Sequence, residues 1–313
     1  MNIIHKFNHL WDRLFYYDQY FMLIRKTVRD SALTDTVGYI PIYPPKRRFY
    51  ADPFIYKSKA DGKNYLFFED YSYNEEKAHI ACMDVLPDGQ CVNCRKVLEM
   101  EYHLSYPFIF EYGGDIFMMP ETKDNWTIEV FRAVRFPDEW VLHKVVMDNI
   151  RAVDTTIFNY QGKYWLFTNI VEDDKDFKPG LYIYYSDSPF EGWTSHPQNP
   201  VVTDTHMVRP AGEIFERDGM LIRPGQDCST MYGYSIVFNR IVTLTESRYE
   251  ETVFGTLLPD PQAGRLYNHT YNFNEDFELI DGVRRDFNFL KPLVFSFNPF
   301  RTNIGRYFHY TRK

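Results

Sequence analysis

Cysteine is scarce in this sequence, with four in 313 residues. So few cysteines cannot form the disulfide framework of a small secreted domain. Cys91 and Cys94 form a single Cys-x-x-Cys pair next to the turn-forming dipeptide Asp88-Gly89. A zinc or redox site would need a second pair or a following helix, so two ordinary thiols beside a hairpin turn are the favoured interpretation.

Long apolar runs and targeting patterns are also missing. No stretch of the sequence approaches the roughly 18 apolar residues that cross a membrane as a helix. Residues 1–15 lack the charged-then-apolar pattern and the small-residue cleavage site of a signal peptide. Together with the few cysteines, these absences predict a cytoplasmic protein.

Positive charge is not in excess, since 35 Lys and Arg face 43 Asp and Glu, which gives a net charge of -8. The basic footprint of a nucleic-acid-binding protein is absent, and no nucleic acid partner is expected. The C-terminal stretch 287–313 differs, because it carries five cations, eight aromatics and no acid. We expect residues 287–300 to help close the fold. Residues 301–313 could contact an anionic membrane surface, where each Lys or Arg contributes roughly 1 kcal/mol.

Aromatic residues are abundant. The chain has 27 Phe, 25 Tyr and 5 Trp, or 18% of all residues. Aromatic side chains fit the pleated, half-buried surface of a β-sheet, and they also line sites that stack on flat ligands. The composition therefore favours an all-β protein.

A repeat runs through the middle of the chain. Each unit contains a strand, a tight turn with Gly and a second, aromatic strand, and the four clear units cover residues 51–69, 105–121, 153–169 and 210–226. Matching Pro53, Pro107, Thr155 and Pro210 separates the units by 54, 48 and 55 residues. Further strands follow each pair, and about fifty residues per unit is typical of a β-propeller blade.

A fifth, degenerate unit fits residues 265–280. The sequence therefore predicts one all-β domain over residues 1–313, a five-bladed β-propeller whose terminal segments close the ring. The approximate blades are 49–100, 101–150, 151–205, 206–260 and 261–300.

The repeat also predicts a site. Because the first two strands of a blade are antiparallel, the start of the first and the end of the second lie on the same face. The strand-one starts are Asp52, Tyr106, Asp154 and Ala211, and the strand-two ends are Glu69, Glu121, Asn169 and Gln226. We expect these positions to converge near the central channel. Carboxylates close to one another raise some pKa values, which suits acid–base chemistry.

Two of these positions lie in stretches that resemble a known group of enzymes. Residues 48–56 read RFYADPFIY, and residues 153–158 and 193–200 add VDTTIF and WTSHPQNP. The three stretches resemble the five-bladed propeller glycosidases of the arabinanase, xylosidase and invertase type. The resemblance implies that Asp52 is a general base or nucleophile, and that Asp154 orients the sugar and tunes the acid.

A closer resemblance covers nearly residues 48–250. It is to the N-terminal domain of plant glucosamine inositolphosphorylceramide transferases and to bacterial proteins of surface-glycan synthesis. The matching stretches are residues 48–54, 103–107, 119–121, 209–212 and 226–229. The resemblance implies a role in glycan synthesis, although a fold by itself does not fix a function.

One position departs from the glycosidase pattern. In the hydrolases the general acid is a Glu at the strand-one start of a later blade, where this sequence has Ala211. Glu213, Glu69 and Glu121 remain as rival acids. The predicted catalytic residues are Asp52, Asp154, Glu121, Glu69 and Glu213.

Polar and aromatic neighbours complete the predicted site. Tyr106 would stack on a sugar ring, and the guanidinium of Arg209 suits a sugar acid or a phosphate. The predicted substrate-binding residues are His103, Tyr106, Arg209, Gln226, Asp227 and His269. His103 and His269 lack the paired spacing of metal ligands, so neither a metal nor another cofactor is expected.

The preferred function is glycosyl transfer in the synthesis of a surface polysaccharide or glycolipid, with a carbohydrate or sugar nucleotide as substrate. A glycoside hydrolase that uses the same carboxylates is the first alternative. A non-catalytic glycan-binding module is the second, and Ala211 in place of an acid favours it.

Overall fold

A computed structural model describes residues 16–28, 31–171 and 180–287. In these ranges the chain forms 21 β-strands in five antiparallel sheets, two short 3-10 helices and no α-helix. No described helix is long and apolar enough to cross a membrane. The five sheets are the blades of a propeller, so the predicted all-β, five-bladed fold is confirmed.

The strands follow one another along the chain in blade order. Two strands precede the first repeat unit, β1 (Tyr16–Lys26) and β2 (Ile40–Ile42). Blade one contains β3 (Arg48–Lys57), β4 (Asn64–Ser72), β5 (Lys77–Val85) and β6 (Cys91–Leu98). Blade two contains β7 (Ser105–Tyr112), β8 (Asp115–Thr122), β9 (Thr127–Arg135) and β10 (Glu139–Asp148). A 3-10 helix, Lys123–Asn125, links β8 to β9.

The second half of the chain continues the pattern. Blade three contains β11 (Ala152–Tyr160), β12 (Lys163–Ile170), β13 (Leu181–Ser186) and β14 (Thr194–Ser195). Blade four contains β15 (Arg209–Pro210), β16 (Phe215–Arg217), β17 (Met220–Asp227), β18 (Ser235–Leu244) and β19 (Tyr249–Leu257). A second 3-10 helix, Pro261–Ala263, precedes β20 (Tyr271–Phe273) and β21 (Phe277–Phe287).

The first strand of each blade lies next to the central axis. Strand β3 contacts β7 and β20, and β11 contacts β7 and β15. Within blades one to four the first two strands pair antiparallel, with Ala51 opposite Glu69, Ser105 opposite Glu121, Val153 opposite Asn169 and Arg209 opposite Gln226. The start of the first strand and the end of the second therefore lie on one face, as the repeat predicts.

The fifth blade combines strands from both halves of the chain. Its order is β2-β1-β21-β20, and β1 pairs with β21 over eleven residues. Arg25 of β1 contacts Glu278 of β21, with 2.5 Å between Nη2 and Oε2, and both side chains are buried. The N-terminal strands thus complete the ring. The closure expected of residues 287–300 lies almost wholly outside the described residues, and the membrane contact expected of residues 301–313 lies wholly outside them.

Aromatic rings fill the spaces between blades. Between blades one, two and three, Phe54, Tyr106, Phe108, Phe117 and Leu166 form one buried cluster. Contacts of this kind are the main favourable contribution to folding, and large rings bury the most area. Much of the aromatic excess of the sequence therefore serves packing between blades.

A local backbone feature marks the start of three inner strands. Asp52, Tyr106 and Asp154 have φ values of 51°, 46° and 50°, in the left-handed region that residues with a Cβ rarely adopt. Each follows the last regular pair of its ladder, where the register shifts by a β-bulge. The bulge turns these three residues toward the neighbouring blade.

Blade four differs from this pattern. Its ladder continues through Ala211, whose N–H donates to Pro224 O, and the chain turns at Gly212 with φ 139°. A Cβ on Gly212 would lie 2.0 Å from Tyr271 O, so only glycine fits. Ala211 itself is fully buried in the core. The predicted equivalence of Ala211 with Asp52 and Asp154 is therefore wrong at the level of the backbone.

Candidate functional site

Carboxylates on the propeller face connect successive blades. Asp281 Oδ2 accepts the backbone N–H of Asp52 at 3.3 Å, and Asp52 Oδ2 accepts that of Tyr106 at 3.2 Å. Glu121 Oε2 accepts the N–H of Asp154 at 3.2 Å. In each case the donor belongs to the next blade and lies at a β-bulge. Since a buried N–H without a partner is unfavourable, these acids stabilise the contacts between blades.

Asp52 has protein donors on both carboxylate oxygens. Thr270 Oγ1 donates to Oδ1 at 2.7 Å, and Tyr106 N donates to Oδ2. Burial raises the pKa of Asp52 well above its usual range, and the nearby carboxylates of Asp154 and Glu69 add to this, while His269 opposes it. Protein donors already occupy both of its oxygens, which fits a role in the contact between blades better than that of a general base.

His269 and Asp281 form a buried ion pair beneath Asp52. His269 Nδ1 lies 2.5 Å from Asp281 Oδ2 and 3.8 Å from Asp52 Oδ1. Burial lowers the pKa of His269, but the two carboxylates outweigh this and raise it to about 9. Asp281 also accepts the N–H groups of His269 and Thr270, and these contacts hold its pKa below the usual range against burial. His269 is therefore an imidazolium at neutral pH.

Among the described residues, two groups have the donor spacing of a metal site. Asp52, His269 and Asp281 offer ligand atoms within 4.8 Å of one another, and Glu75, His79 and Glu99 form the second group. In the first group the imidazolium of His269 already supplies a positive charge between the two carboxylates. A metal ion would have to displace that proton, so the chemistry of the donor set fits a metal poorly.

Asp154 is the centre of a second cluster, shared with blade four. Arg209 Nε donates to Asp154 Oδ2 in a very short hydrogen bond, and Gln226 Nε2 donates to the same oxygen at 2.8 Å. The side chain is 2% exposed, and among the described residues its side-chain hydrogen bonds all end on Oδ2, so Oδ1 has no side-chain partner there. Burial raises the pKa of Asp154 to about 6, although Arg209 opposes the shift.

Three cationic side chains surround the remaining acids. Lys123 Nζ lies 3.5 Å from Glu121 Oε1, and Arg209 Nη2 lies 3.9 Å from Glu121 Oε2. Burial opposes ionisation, but these cations and His103 hold the pKa of Glu121 below its usual range. His103 Nε2 lies 3.1 Å from Glu69 Oε1, and this pairing raises the pKa of His103 against the effect of burial. Glu121 is thus ionised and unsuited to be the acid.

The structure places Tyr106 inside the core. Its ring packs edge-on against Phe54, with 4.8 Å between centroids. Its hydroxyl accepts the N–H of Gly212 at 2.7 Å and bonds Thr156 Oγ1 at 2.8 Å. The side chain is fully buried and offers no face to a ligand, which differs from the predicted stacking role.

Glu213 is the exposed residue among the predicted acids. The preceding residue, Gly212, is bonded to Tyr106 and Thr156, and Glu213 N donates to Asn272 Oδ1 at 2.9 Å. Burial by the surrounding protein raises the pKa of Glu213 to about 7. A catalytic role for Glu213 stays a prediction from the sequence.

Asp227 also has a local role. Its Oδ1 accepts the backbone N–H of Ser229 at 2.9 Å and the hydroxyl of Ser229 at 2.6 Å. Its Oδ2 accepts the hydroxyl of Ser235 at 3.3 Å. These bonds hold the loop that follows β17, whereas the adjacent Gln226 points to Asp154.

Four residues that the sequence reasoning missed belong to the cluster: Lys123, Tyr232, Thr270 and Asp281. The Arg209 guanidinium lies 4.8 Å from the centroid of the Tyr232 ring. Asp281 follows Ile280, which pairs with Tyr271, so it occupies the strand-two end of the fifth blade. Glu69 and Glu121 were predicted from their places at strand-two ends. Aligning the degenerate fifth unit on the pair of Tyr271 and Ile280 puts Asp281 at the same place.

Comparisons of the sequence agree with the closer of the two resemblances. Residues 42–274 match the family described as glucosamine inositolphosphorylceramide transferase 1, N-terminal. The enzyme of that name from rice (Oryza sativa subsp. japonica) is 34% identical over 240 residues, which are 75% of this chain and 31% of the relative. Its counterpart from Arabidopsis thaliana is 37% identical over 211 residues, 65% of this chain and 27% of the relative. The chain thus spans about a third of these relatives.

Solved structures with the same fold include carbohydrate-degrading enzymes. A family 117 glycoside hydrolase from Zobellia galactanivorans has a TM-score of 0.53 at 14% identity, covering 85% of this chain and 91% of its own. An exo-β-1,3-galactanase from Clostridium thermocellum has a TM-score of 0.53 at 12% identity, covering 66% and 49%. At such low identity the likeness concerns the fold alone. The family match covers most of the chain, which therefore belongs to the family of the N-terminal region of glucosamine inositolphosphorylceramide transferase 1.

Proposed function

We propose that this chain is a carbohydrate-active domain that transfers a glycosyl unit in the synthesis of a glycolipid or a surface polysaccharide. The names of its relatives describe a glucosamine inositolphosphorylceramide transferase, which supports transfer to a glycolipid. The observation that carries the proposal is the cluster of Asp154, Arg209 and Gln226 on the propeller face. There Arg209 and Gln226 both donate to the same oxygen of the Asp154 carboxylate.

We assign the role of base to Asp154. Arg209 and Gln226 both donate to Oδ2, so the carboxylate is held in one orientation. Its pKa of about 6 leaves it mostly ionised near neutral pH and close to the value at which a general base is most effective. In this proposal Oδ1 accepts the proton of the acceptor hydroxyl while the acceptor oxygen bonds to the anomeric carbon. The bond from that carbon to the nucleoside diphosphate of the donor breaks, and the diphosphate leaves as its anion.

The other acids divide into supporting roles. Asp52 uses both oxygens to bind Thr270 and Tyr106, so we assign it to the contact between blades. Glu121 is ionised and fixes the backbone of Asp154. His103 accepts the backbone N–H of Ala78 on Nδ1 and contacts Glu69 through Nε2, so we assign it to holding Glu69 in place.

A glycan-binding module without catalysis is the second candidate. Asp52, the base implied by the glycosidase resemblance, favours this candidate. Protein donors occupy both of its oxygens, so that base is engaged in the contact between blades. A sugar could bind at Asp154 and Arg209 without a reaction. Hydrolysis is a third outcome, and the products of the reaction distinguish it from transfer.

Product analysis tests these candidates. The full chain is incubated with sugar nucleotides and with glycolipid or oligosaccharide acceptors, and new glycosides and free sugars are identified by mass spectrometry. Transfer predicts a new glycoside that is lost in Asp154→Asn and kept in Glu250→Gln, a matched change at an exposed carboxylate on the outer strand of blade four. Release of free sugar from an oligosaccharide would indicate a hydrolase. Binding without any product would indicate the module.

The cytoplasmic location and the membrane contact of residues 301–313 stay predictions from the sequence. Co-sedimentation of the full chain with anionic and with neutral vesicles tests the contact. Binding to anionic vesicles alone, weakened by salt and by removal of residues 301–313, is the expected result.

A further inference from the structure

We propose that Trp126 is a stacking platform for a sugar ring, and that it forms a binding subsite beside Asp154. This inference rests on the proposed function, because it assigns the ligand of the platform to the class of molecule that the cluster binds. The platform itself is inferred from the position, the backbone conformation and the exposure of Trp126.

Trp126 is an exposed aromatic residue on the face that carries the acids. It lies in the short connection between β8, which ends just after Glu121, and β9. The indole is 53% exposed, which is unusual for the largest apolar side chain. Singly exposed apolar side chains are common on protein surfaces, so the position of Trp126 on the face of the acids is the feature that points to a ligand.

The backbone at Trp126 does not favour a tryptophan. Its φ and ψ are 61° and 34°, in the left-handed region that suits glycine. Glu76 stands at the equivalent point of blade one, directly before β5, with φ 54°. The turn therefore needs a left-handed residue but does not need an indole. The ring is also exposed, with the guanidinium of Arg151 over one of its faces, and the backbone conformation does not account for tryptophan at this position.

Backbone hydrogen bonds and one cation hold Trp126 at the junction of blades two and three. Trp126 N donates to Lys123 O at 2.9 Å, and Ile150 N donates to Trp126 O at 3.0 Å. The guanidinium of Arg151 lies 5.2 Å from the centroid of the indole. At the same junction Asp154 N donates to Glu121 Oε2. Trp126 thus lies at the junction where the Glu121 carboxylate accepts the backbone N–H of Asp154, and the Arg151 guanidinium lies over one face of the indole.

The geometry points to a pyranose as the ligand. The C–H bonds on one side of such a ring form a flat apolar patch, which matches the open face of an indole. A cation on the other face restrains the indole and reduces the entropy lost on binding. A sugar stacked on Trp126 would lie over the connection between β8 and β9, where Lys123 and Asp124 carry the polar side chains.

Fluorine NMR of the full chain labelled with 5-fluorotryptophan provides a direct test. The resonance of Trp126 is identified by its absence from Trp126→Phe. The probes are methyl glycosides of a hexose, an N-acetylhexosamine and a hexuronic acid. For a glycoside that binds, the resonance of Trp126 should shift and saturate with the same dissociation constant as the binding isotherm.

Substitutions measure the contribution of the ring. We expect Trp126→Ala to weaken binding by about tenfold, which is about 1.4 kcal/mol, and Trp126→Phe to weaken it less. Trp126→Gly should weaken binding as much as Trp126→Ala while the melting temperature stays equal or rises, because glycine suits the backbone. Glu76→Gly is the matched control, since it makes the same backbone change in blade one and should leave affinity unchanged.

The outcomes separate this inference from the proposed function. Unchanged affinity in Trp126→Ala together with lost affinity in Asp154→Asn would overturn the platform and leave the proposed function standing. Lost affinity in Trp126→Ala with unchanged affinity in Asp154→Asn would support the platform and overturn the role of Asp154. If no glycoside binds the wild-type chain, both are overturned.

Discussion

Asp52 in blade one accepts a hydrogen bond from the backbone N–H of Tyr106 in blade two, with 3.2 Å between Oδ2 and N. Glu121 in blade two does the same for Asp154 in blade three. These acids therefore hold left-handed residues of the next blade in place. The negative charge on this face has a structural role, and we assign the chemistry to Asp154, whose Oδ1 has no side-chain partner among the described residues.

Removal of the Asp52 carboxylate should weaken the contact between blades one and two. Asp52→Ala leaves the buried N–H of Tyr106 without its partner, and we expect a loss of about 1–3 kcal/mol in the free energy of unfolding. Asp52→Asn should lose much less, because the amide oxygen can still accept from Tyr106 and the hydroxyl of Thr270 can rotate to accept from the amide. Denaturant unfolding measures both changes. Equal stability of Asp52→Ala and wild type would contradict this role.

The ion pair of His269 and Asp281 should make stability depend on pH. The folded pKa of His269, about 9, lies above the unfolded value of ~6.5. Its contribution is therefore fully present below pH ~6.5 and is lost as the pH rises through 9. The difference in unfolding free energy between wild type and His269→Asn should shrink over this range. A difference that stays constant from pH 6 to pH 10 would show that His269 is neutral in the folded chain.

The closure of the ring should depend on Arg25. Its Nε donates to Glu278 Oε2 at 2.7 Å and its Nη1 to Asp35 Oδ2 at 3.0 Å. Arg25→Met leaves Glu278 buried without its cation, which typically costs about 3–5 kcal/mol. Arg248→Met is the control, because Arg248 and Glu250 form an exposed pair worth at most about 1 kcal/mol. Similar losses in the two variants would argue against a specific closure.

Gly212 should be irreplaceable. A Cβ there would lie 2.0 Å from Tyr271 O, and the backbone has φ 139°. We expect Gly212→Ala to lower the melting temperature strongly or to prevent folding. Gly255→Ala is the matched control, since its nearest neighbour is a methyl group of Thr34 at 3.4 Å. A melting curve of Gly212→Ala that coincides with wild type would mean that this segment moves freely.

The fold was predictable because the repeat has a period and each unit pairs a strand with a second one across a turn. The same register brings Asp52, Asp154 and Glu121 to one face. Blade four has no such signal, because its ladder continues through Ala211 and the bend at Gly212 depends on the close approach of Tyr271 from another blade. A contact between distant parts of the chain leaves no local pattern in the sequence.

Two further differences have the same origin. Tyr106 occupies a strand start like Asp52, and the sequence cannot show whether its ring points to a ligand or into the core. Asp281 was missed because blade five is assembled from strands at both ends of the chain, which hides its repeat. In both cases the deciding information is the position of a neighbouring blade.

The affinity of the full chain for saccharides, compared between wild type and Asp154→Asn by titration calorimetry, tests the central claim most directly. The titrants are the methyl glycosides named above and common sugar nucleotides. Our account predicts that wild type binds at least one of them, and that Asp154→Asn loses at least about tenfold in affinity, or 1.4 kcal/mol. Circular dichroism should show that Asp154→Asn is folded, with a lower melting temperature because Arg209 loses its buried partner. Equal affinity in the two proteins, or no binding by wild type, would contradict the account.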